Sequence, residues 1–107
     1  EKEHRSQAIQ EAFKNAARVP MEVARDALKI MDLARRGILQ GNKNAVTDGA
    51  VGALAARTAA LAALYNVKIN LGSIKDPAFV EEFAAEVKNL ESQVIQKEKE
   101  ILGQVEI

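Results

Sequence analysis

Gly49-Ala50-Val51-Gly52-Ala53-Leu54-Ala55-Ala56-Arg57-Thr58-Ala59-Ala60-Leu61-Ala62-Ala63-Leu64-Tyr65-Asn66-Val67 is the stretch whose reading decides the fold. Arg57 is its only charged residue, and Val51, Leu54, Leu61 and Leu64 stand at near-helical spacing among alanines and glycines. A helix so small-sided all round is either embedded in lipid or gripped closely by other helices. The apolar run is short for a bilayer and carries an arginine near its middle, which points to the bundle. Just upstream, Gly41-Asn42-Lys43-Asn44-Ala45-Val46-Thr47-Asp48 reads as a polar loop in which Thr47 or Asp48 caps the helix. The expectation is a buried central helix with polar groups at both ends.

Outward from this stretch the chain continues as helix. Residues Glu3 to Val19 place Ala8, Ile9, Ala12, Phe13 and Ala16 on one stripe, with Arg5, Gln7, Glu11 and Lys14 opposite. Pro20 disfavours a helical conformation at Val19 and itself suits a first turn, so a second helix is predicted from there to about Gln40. That helix would bury Val23, Ala27, Ile30, Met31, Ala34 and Ile38, with Arg35 and Arg36 at its negative end and Gly41 closing it. Beyond the central helix, Gly72-Ser73 punctuates, and Asp76-Pro77 with Glu81 and Glu82 behind it signals another start. The last helix carries Phe79, Phe83, Val87, Leu90, Val94 and Ile101 in an alternating three-and-four stripe. At about 25 residues and 1.5 Å per residue it would extend roughly 35–40 Å.

The predicted fold is thus all-α: an antiparallel up-and-down bundle of four main helices near 3–19, 20–40, 47–70 and 77–102. The long final helix is expected to outreach its neighbours and to need a partner, which implies a homo-oligomer, a dimer in the simplest case.

Composition bounds the function. At 107 residues the chain is one domain or part of one, and its 15 Lys+Arg balance 15 Asp+Glu. No basic face or polybasic run argues for nucleic acid or an anionic membrane as partner. With 4% aromatics there are too few rings for a platform that stacks single-stranded nucleic acid. Cysteine is absent, which removes disulfides, a thiolate nucleophile and cysteine-based zinc sites and suits a reducing, cytoplasmic compartment. No metal-ligand cluster is visible. The start at Glu1 rather than Met reads as a processed or truncated product.

Several landmarks in order carry a more specific resemblance. They are Arg5 and Gln10; Ala16-Ala17-Arg18-Val19-Pro20; Gly41-Asn42 with Thr47-Asp48; Asn66-Val67-Lys68-Ile69-Asn70-Leu71; and Ile74-Lys75-Asp76-Pro77-Ala78-Phe79. In this the chain resembles the cyclodeaminase/cyclohydrolase family of folate enzymes, across nearly its whole length. Thr47-Asp48 stands where the family usually has Ser-Asp. Family members are about twice as long, and the resemblance implies that residues 1–107 are the C-terminal half of such a domain. The glycine-rich helix start and the aspartate regarded as catalytic in the family have no counterpart here, so no catalytic residue is carried over.

The resemblance implies folate one-carbon chemistry. A cyclodeaminase closes 5-formimino-tetrahydrofolate to 5,10-methenyl-tetrahydrofolate with release of ammonia; a cyclohydrolase adds water to the methenyl carbon and opens the ring to 10-formyl-tetrahydrofolate. Either needs a proton shuttle and polar groups to hold the pterin edge. The expected ligand is a tetrahydrofolate derivative as substrate, with no prosthetic group and no metal. The alternative is a non-catalytic helical module for interaction or oligomerisation.

Four residues are candidates for substrate binding: Asn42, Asp48, Arg57 and Asn70. Asp48 either holds ligand or caps its helix. Asn42 either binds through its amide or closes its own turn. Arg57, isolated among small residues, meets either a buried carboxylate or the substrate's glutamate tail. Asn66 and Asn70 stand one turn apart, so their amides face one way and must find either bundle backbone or a ligand. His4 reads as a solvated surface residue near a terminus, and Met21 and Met31 as core.

Overall fold

A computed structural model describes residues 1–41 and 43–105, with the side chains of Lys43 and Asn44 excepted. Among these residues there are three α-helices and no strand: α1 (Lys2–Leu39), α2 (Lys43–Leu71) and α3 (Pro77–Gly103). The all-α, up-and-down expectation holds. Ala16 of α1 lies beside Asn70 of α2 and Ile38 beside Gly49, so these two helices run antiparallel. Arg25 meets Glu86 and Asp32 meets Lys97, so α1 and α3 run parallel. The result is a rod of 63 × 18 × 16 Å. Its radius of gyration, 17.4 Å, exceeds the roughly 13 Å of a compact domain of this size.

The count of four helices is corrected to three, because Pro20 lies inside α1 instead of ending a helix. An internal proline removes one backbone donor and costs about 3 kcal/mol. Here both consequences are offset. Ala17, Met21 and Ala24 are fully buried on either side of the proline and hold the helix against the bundle. The carbonyl of Ala16, which would have accepted from the missing N–H, receives a hydrogen bond from the Asn70 side chain instead.

Two further expectations change with it. The outreaching helix is α1, at 38 residues, whereas α3 has 27. The inward face of α1 is Ala17, Met21, Ala24, Ala27, Met31 and Ile38, while Val23 and Ile30 are about half exposed. Ile9, Ala12, Ala16, Val19, Val23, Ile30 and Leu33 form a second apolar stripe that faces outward. One continuous helix keeps one register through Pro20, and that register turns Val23 and Ile30 away from the core.

The short connection after α1 is set by Gly41, whose φ of +86° is open to glycine at no steric cost. It turns the chain so soon that α2 begins at Lys43. Thr47 and Asp48 therefore lie inside the helix, exposed, and neither caps it. The small residues of α2 allow close approach to α1: Ala53, Ala56, Ala60 and Ala63 are buried. At Gly49 a β-carbon would fall 2.7 Å from Ile38 Cγ1 and 3.3 Å from the Ala34 carbonyl oxygen. A side chain there would force Ile38 to shift and would crowd the α1 backbone.

The start of α3 follows the sequence signal. Asp76 caps it by accepting from the Phe79 N–H at 3.3 Å, with Pro77 in the first turn. Phe83, Val87, Leu90, Val94 and Ile101 face inward as predicted. Met21 and Met31 are core, and His4 is exposed.

By length and composition alone, Ala45–Leu71 of α2 would suffice to cross a bilayer, as core helices of soluble bundles often do. Its buried stripe packs on α1 and α3, and its one mid-helix charge, Arg57, is matched by Glu98 of α3. We read it as a bundle helix.

Candidate functional site

Four predicted residues, four different fates. Asn42 lies outside the described residues. Asp48 is exposed in the second turn of α2. Arg57 turns to α3, with Nε 3.1 Å from Glu98 Oε2, in the manner of a structural ion pair. Asn70 turns to α1. From Asp48 to Asn70 is 22 residues along one helix, or about 33 Å at 1.5 Å per residue. The expected single pocket at the polar mouth of α2 is therefore not assembled. Of the three described, Asn70 borders a groove between helices.

That groove runs between α1 and α2, has a volume of about 570 Å³, and has no α3 residue in its lining. Ala16, Val19, Pro20 and Val23 form the α1 wall; Ala59, Ala63, Asn66 and Asn70 form the other. The walls can separate because Pro20 and three alanines present little side chain. Among the described residues no charged one lines it.

Asn70 is fixed by its own hydrogen bonds. Its amide nitrogen donates to the Ala16 carbonyl at 3.3 Å and to the Asn66 carbonyl at 2.9 Å. Both N–H groups are thereby committed, and turning the amide over would set Oδ1 against two carbonyl oxygens. Asn66, one turn earlier and exposed, lines the same groove. Of the alternatives open for the Asn66–Asn70 pair, bundle backbone is what Asn70 has found.

The floor end of the groove is anchored by a second set of contacts. Gln10 of α1 accepts from the Lys75 N–H at 2.8 Å and donates to the Ser73 carbonyl at 3.2 Å. It thus ties the α2–α3 connection to α1 at both faces of its amide. Lys14 pairs with Asp76 at 2.8 Å, and this with the Phe79 N–H holds the Asp76 carboxyl below the usual carboxylate range. Lys14 and Arg18 also lie over the Phe79 ring, which stacks on Phe83 at 4.1 Å between centroids. The motifs Gln10 and Ile74-Lys75-Asp76-Pro77 are in this way a structural clamp.

Farther along the rod, Arg25 grips Glu86 through two bonds of 2.6 and 2.5 Å and also meets Glu22. The guanidinium keeps the Glu86 carboxyl below its ordinary value. Lys68 pairs with Glu91 at 2.7 Å, which raises the ammonium. Among the described residues no group of three or more His, Asp or Glu is placed to hold a metal ion.

Sequence reasoning does not reach the groove, because in local sequence Pro20 reads as a helix end. The signal lay in an internal proline facing an Asn-x-x-x-Asn pair, which supplies the donor the proline lacks.

The groove of this elongated helical domain is thus edged by two amides, of which Asn70 is locked to backbone, and its described lining carries no charge. Comparison with known proteins makes the assignment particular. The sequence profile of the formiminotransferase-cyclodeaminase family matches residues 1–89, and the chain belongs to that family. It is 37% identical over 90 residues to a methenyltetrahydrofolate cyclohydrolase of Methylorubrum extorquens, an alignment that covers 84% of this chain and 43% of that protein. It is 31% identical over 99 residues to the formimidoyltransferase-cyclodeaminase of Sus scrofa, covering 92% of this chain and 18% of that one. With the formimidoyltransferase-cyclodeaminase of Rattus norvegicus it shares 27% over 106 residues, 99% of this chain and 20% of the relative. The chain thus spans less than half the length of each.

Proposed function

We propose that this chain forms part of a folate one-carbon enzyme of the cyclohydrolase or cyclodeaminase type and contributes a ligand-binding wall to it. The observation that carries the proposal is that the family match over residues 1–89 contains every residue of the α1–α2 groove. The reaction classes differ only in whether water adds to a one-carbon unit or ammonia leaves it. Both need a proton moved to or from oxygen or nitrogen. The described residues of the groove offer amides and apolar surface but no acid or base. In this reading the proton shuttle comes from residues beyond these 107, and the chain binds and excludes water.

The test is turnover. The natural full-length gene product should hydrolyse 5,10-methenyl-tetrahydrofolate or cyclise 5-formimino-tetrahydrofolate, and the 107-residue chain alone should do neither. Failure of the full-length product with both substrates would contradict the proposal.

A second reading, a helical interaction module, is favoured by one observation. Val19, Leu33, Tyr65 and Ile69 are 67%, 63%, 67% and 76% exposed on the outer sides of α1 and α2. Exposed apolar side chains in such number belong to surfaces that are covered in the assembled protein. We therefore propose that the chain self-associates, with α1 rather than α3 as the outreaching helix. Sedimentation showing a stable monomer at micromolar concentration would contradict this part.

A further inference from the structure

We propose that Asn70 Oδ1 is the recognition acceptor of the α1–α2 groove and takes an N–H donor on the edge of a flat nitrogen heterocycle. Resting on the folate reading above, that edge is the 2-amino and N3–H side of a reduced pterin.

The polarity of the site follows from the bonds already described. With both N–H groups of Asn70 donated to the carbonyls of Ala16 and Asn66, only Oδ1 is left to meet a ligand. Asn70 is half-buried, and among the described residues no donor hydrogen-bonds its Oδ1. An asparagine free to rotate would accept donors and acceptors alike. This one is held by an internal proline's orphan carbonyl and so discriminates.

Shape and charge agree. Ala16, Ala59, Ala63 and the Pro20 ring leave a shallow slot in which a planar ring can lie close to backbone. Its volume, about 570 Å³, falls within the roughly 300–1,000 Å³ of small-molecule sites. Asn66 and Asn70 project side by side, their β-carbons about 5–6 Å apart as one turn dictates. Asn66 is therefore placed to donate to the ring carbonyl that adjoins the N3–H. The uncharged character of the described lining suits the neutral ring rather than the carboxylate tail. An apolar helix lying in the groove would gain nothing from a fixed acceptor.

The experiment is a titration of the ¹⁵N-labelled 107-residue chain with 5-formyl-tetrahydrofolate and with its 2-desamino-2-methyl analogue. The proposal expects shifts of the Asn66 and Asn70 side-chain amide signals and at least tenfold weaker binding of the analogue. Ala59→Leu, which fills the slot from an exposed position, should weaken 5-formyl-tetrahydrofolate at least tenfold while the far-ultraviolet spectrum keeps its helical intensity. Equal affinity for the two compounds, or binding unaffected by Ala59→Leu, would overturn it. Shifts confined to residues outside the groove would overturn the groove assignment and leave the folate reading standing. That reading falls only if the full-length product lacks turnover.

Discussion

Replacing Pro20 and Asn70 by alanine, singly and together, measures whether α1 survives its proline through the side chain of another helix. In Asn70→Ala the Ala16 carbonyl loses its donor, while the Asn66 carbonyl keeps its ordinary helical partner. Ala16 borders the open groove, so water can replace the donor and the loss is about 0.5–1.5 kcal/mol, the net worth of one hydrogen bond. The better helix propensity of alanine returns about 0.5 kcal/mol of that. Pro20→Ala removes a penalty of up to about 3 kcal/mol and restores an N–H that reaches the Ala16 carbonyl from within α1. In that background Asn70 has no orphan to satisfy, and Asn70→Ala should be neutral or slightly stabilising. The expected coupling between the two positions is about 1 kcal/mol. Urea unfolding followed by far-ultraviolet circular dichroism gives all four stabilities. Effects that add to within about 0.3 kcal/mol would refute the reasoning, as would a Pro20→Ala chain no more stable than wild type.

Gly49→Ala should cost about 1–3 kcal/mol through the clash with Ile38 and the Ala34 carbonyl, and Ile38→Val should relieve part of it; thermal melts of the three variants check this. Glu86→Gln breaks the two-bond grip of Arg25 and should cost about 1 kcal/mol at neutral pH, the low end for a charged pair because solvent screens it. Since the folded Glu86 carboxyl titrates below its unfolded value, that advantage is complete above the unfolded pKa and fades as pH falls through the folded one; wild-type and Glu86→Gln melts should converge in acid. Gln10→Ala should leave the bundle folded but speed hydrogen exchange at the Lys75 amide, which loses its acceptor.

Much of the fold was legible because single residues had single meanings. Asp76-Pro77 could only begin a helix, Gly41 could end one, and the three-and-four stripe of α3 named its own buried face. Pro20 had two meanings, and local sequence holds only one of them. Whether a proline ends a helix depends on what packs against it, here Asn70, fifty residues later in the chain. The error then spread to α1, which has two apolar stripes: periodicity reports that stripes exist, but which of them faces in is decided by the unbroken register and by α2. The site was legible only in part for a related reason. Arg57 and Asn70 share a helix, but they point at different neighbours, Glu98 and Ala16, so nearness in sequence did not become nearness in space. The family resemblance, in contrast, rested on spacing between landmarks, and the clamp formed by Gln10 with Ser73 and Lys75 gives a physical reason for such spacing.

Ligand-linked stability tests most directly the proposed folate-binding groove walled by Pro20 and Asn70. A ligand that binds only the folded state stabilises it by about 2.7 kcal/mol at one hundred times its dissociation constant. Adding 5-formyl-tetrahydrofolate should therefore raise the melting temperature of the wild-type chain in a concentration-dependent way, and should raise that of Ala59→Leu distinctly less at every concentration. A wild-type melting temperature unchanged up to millimolar ligand, or an equal rise in Ala59→Leu, would contradict the account.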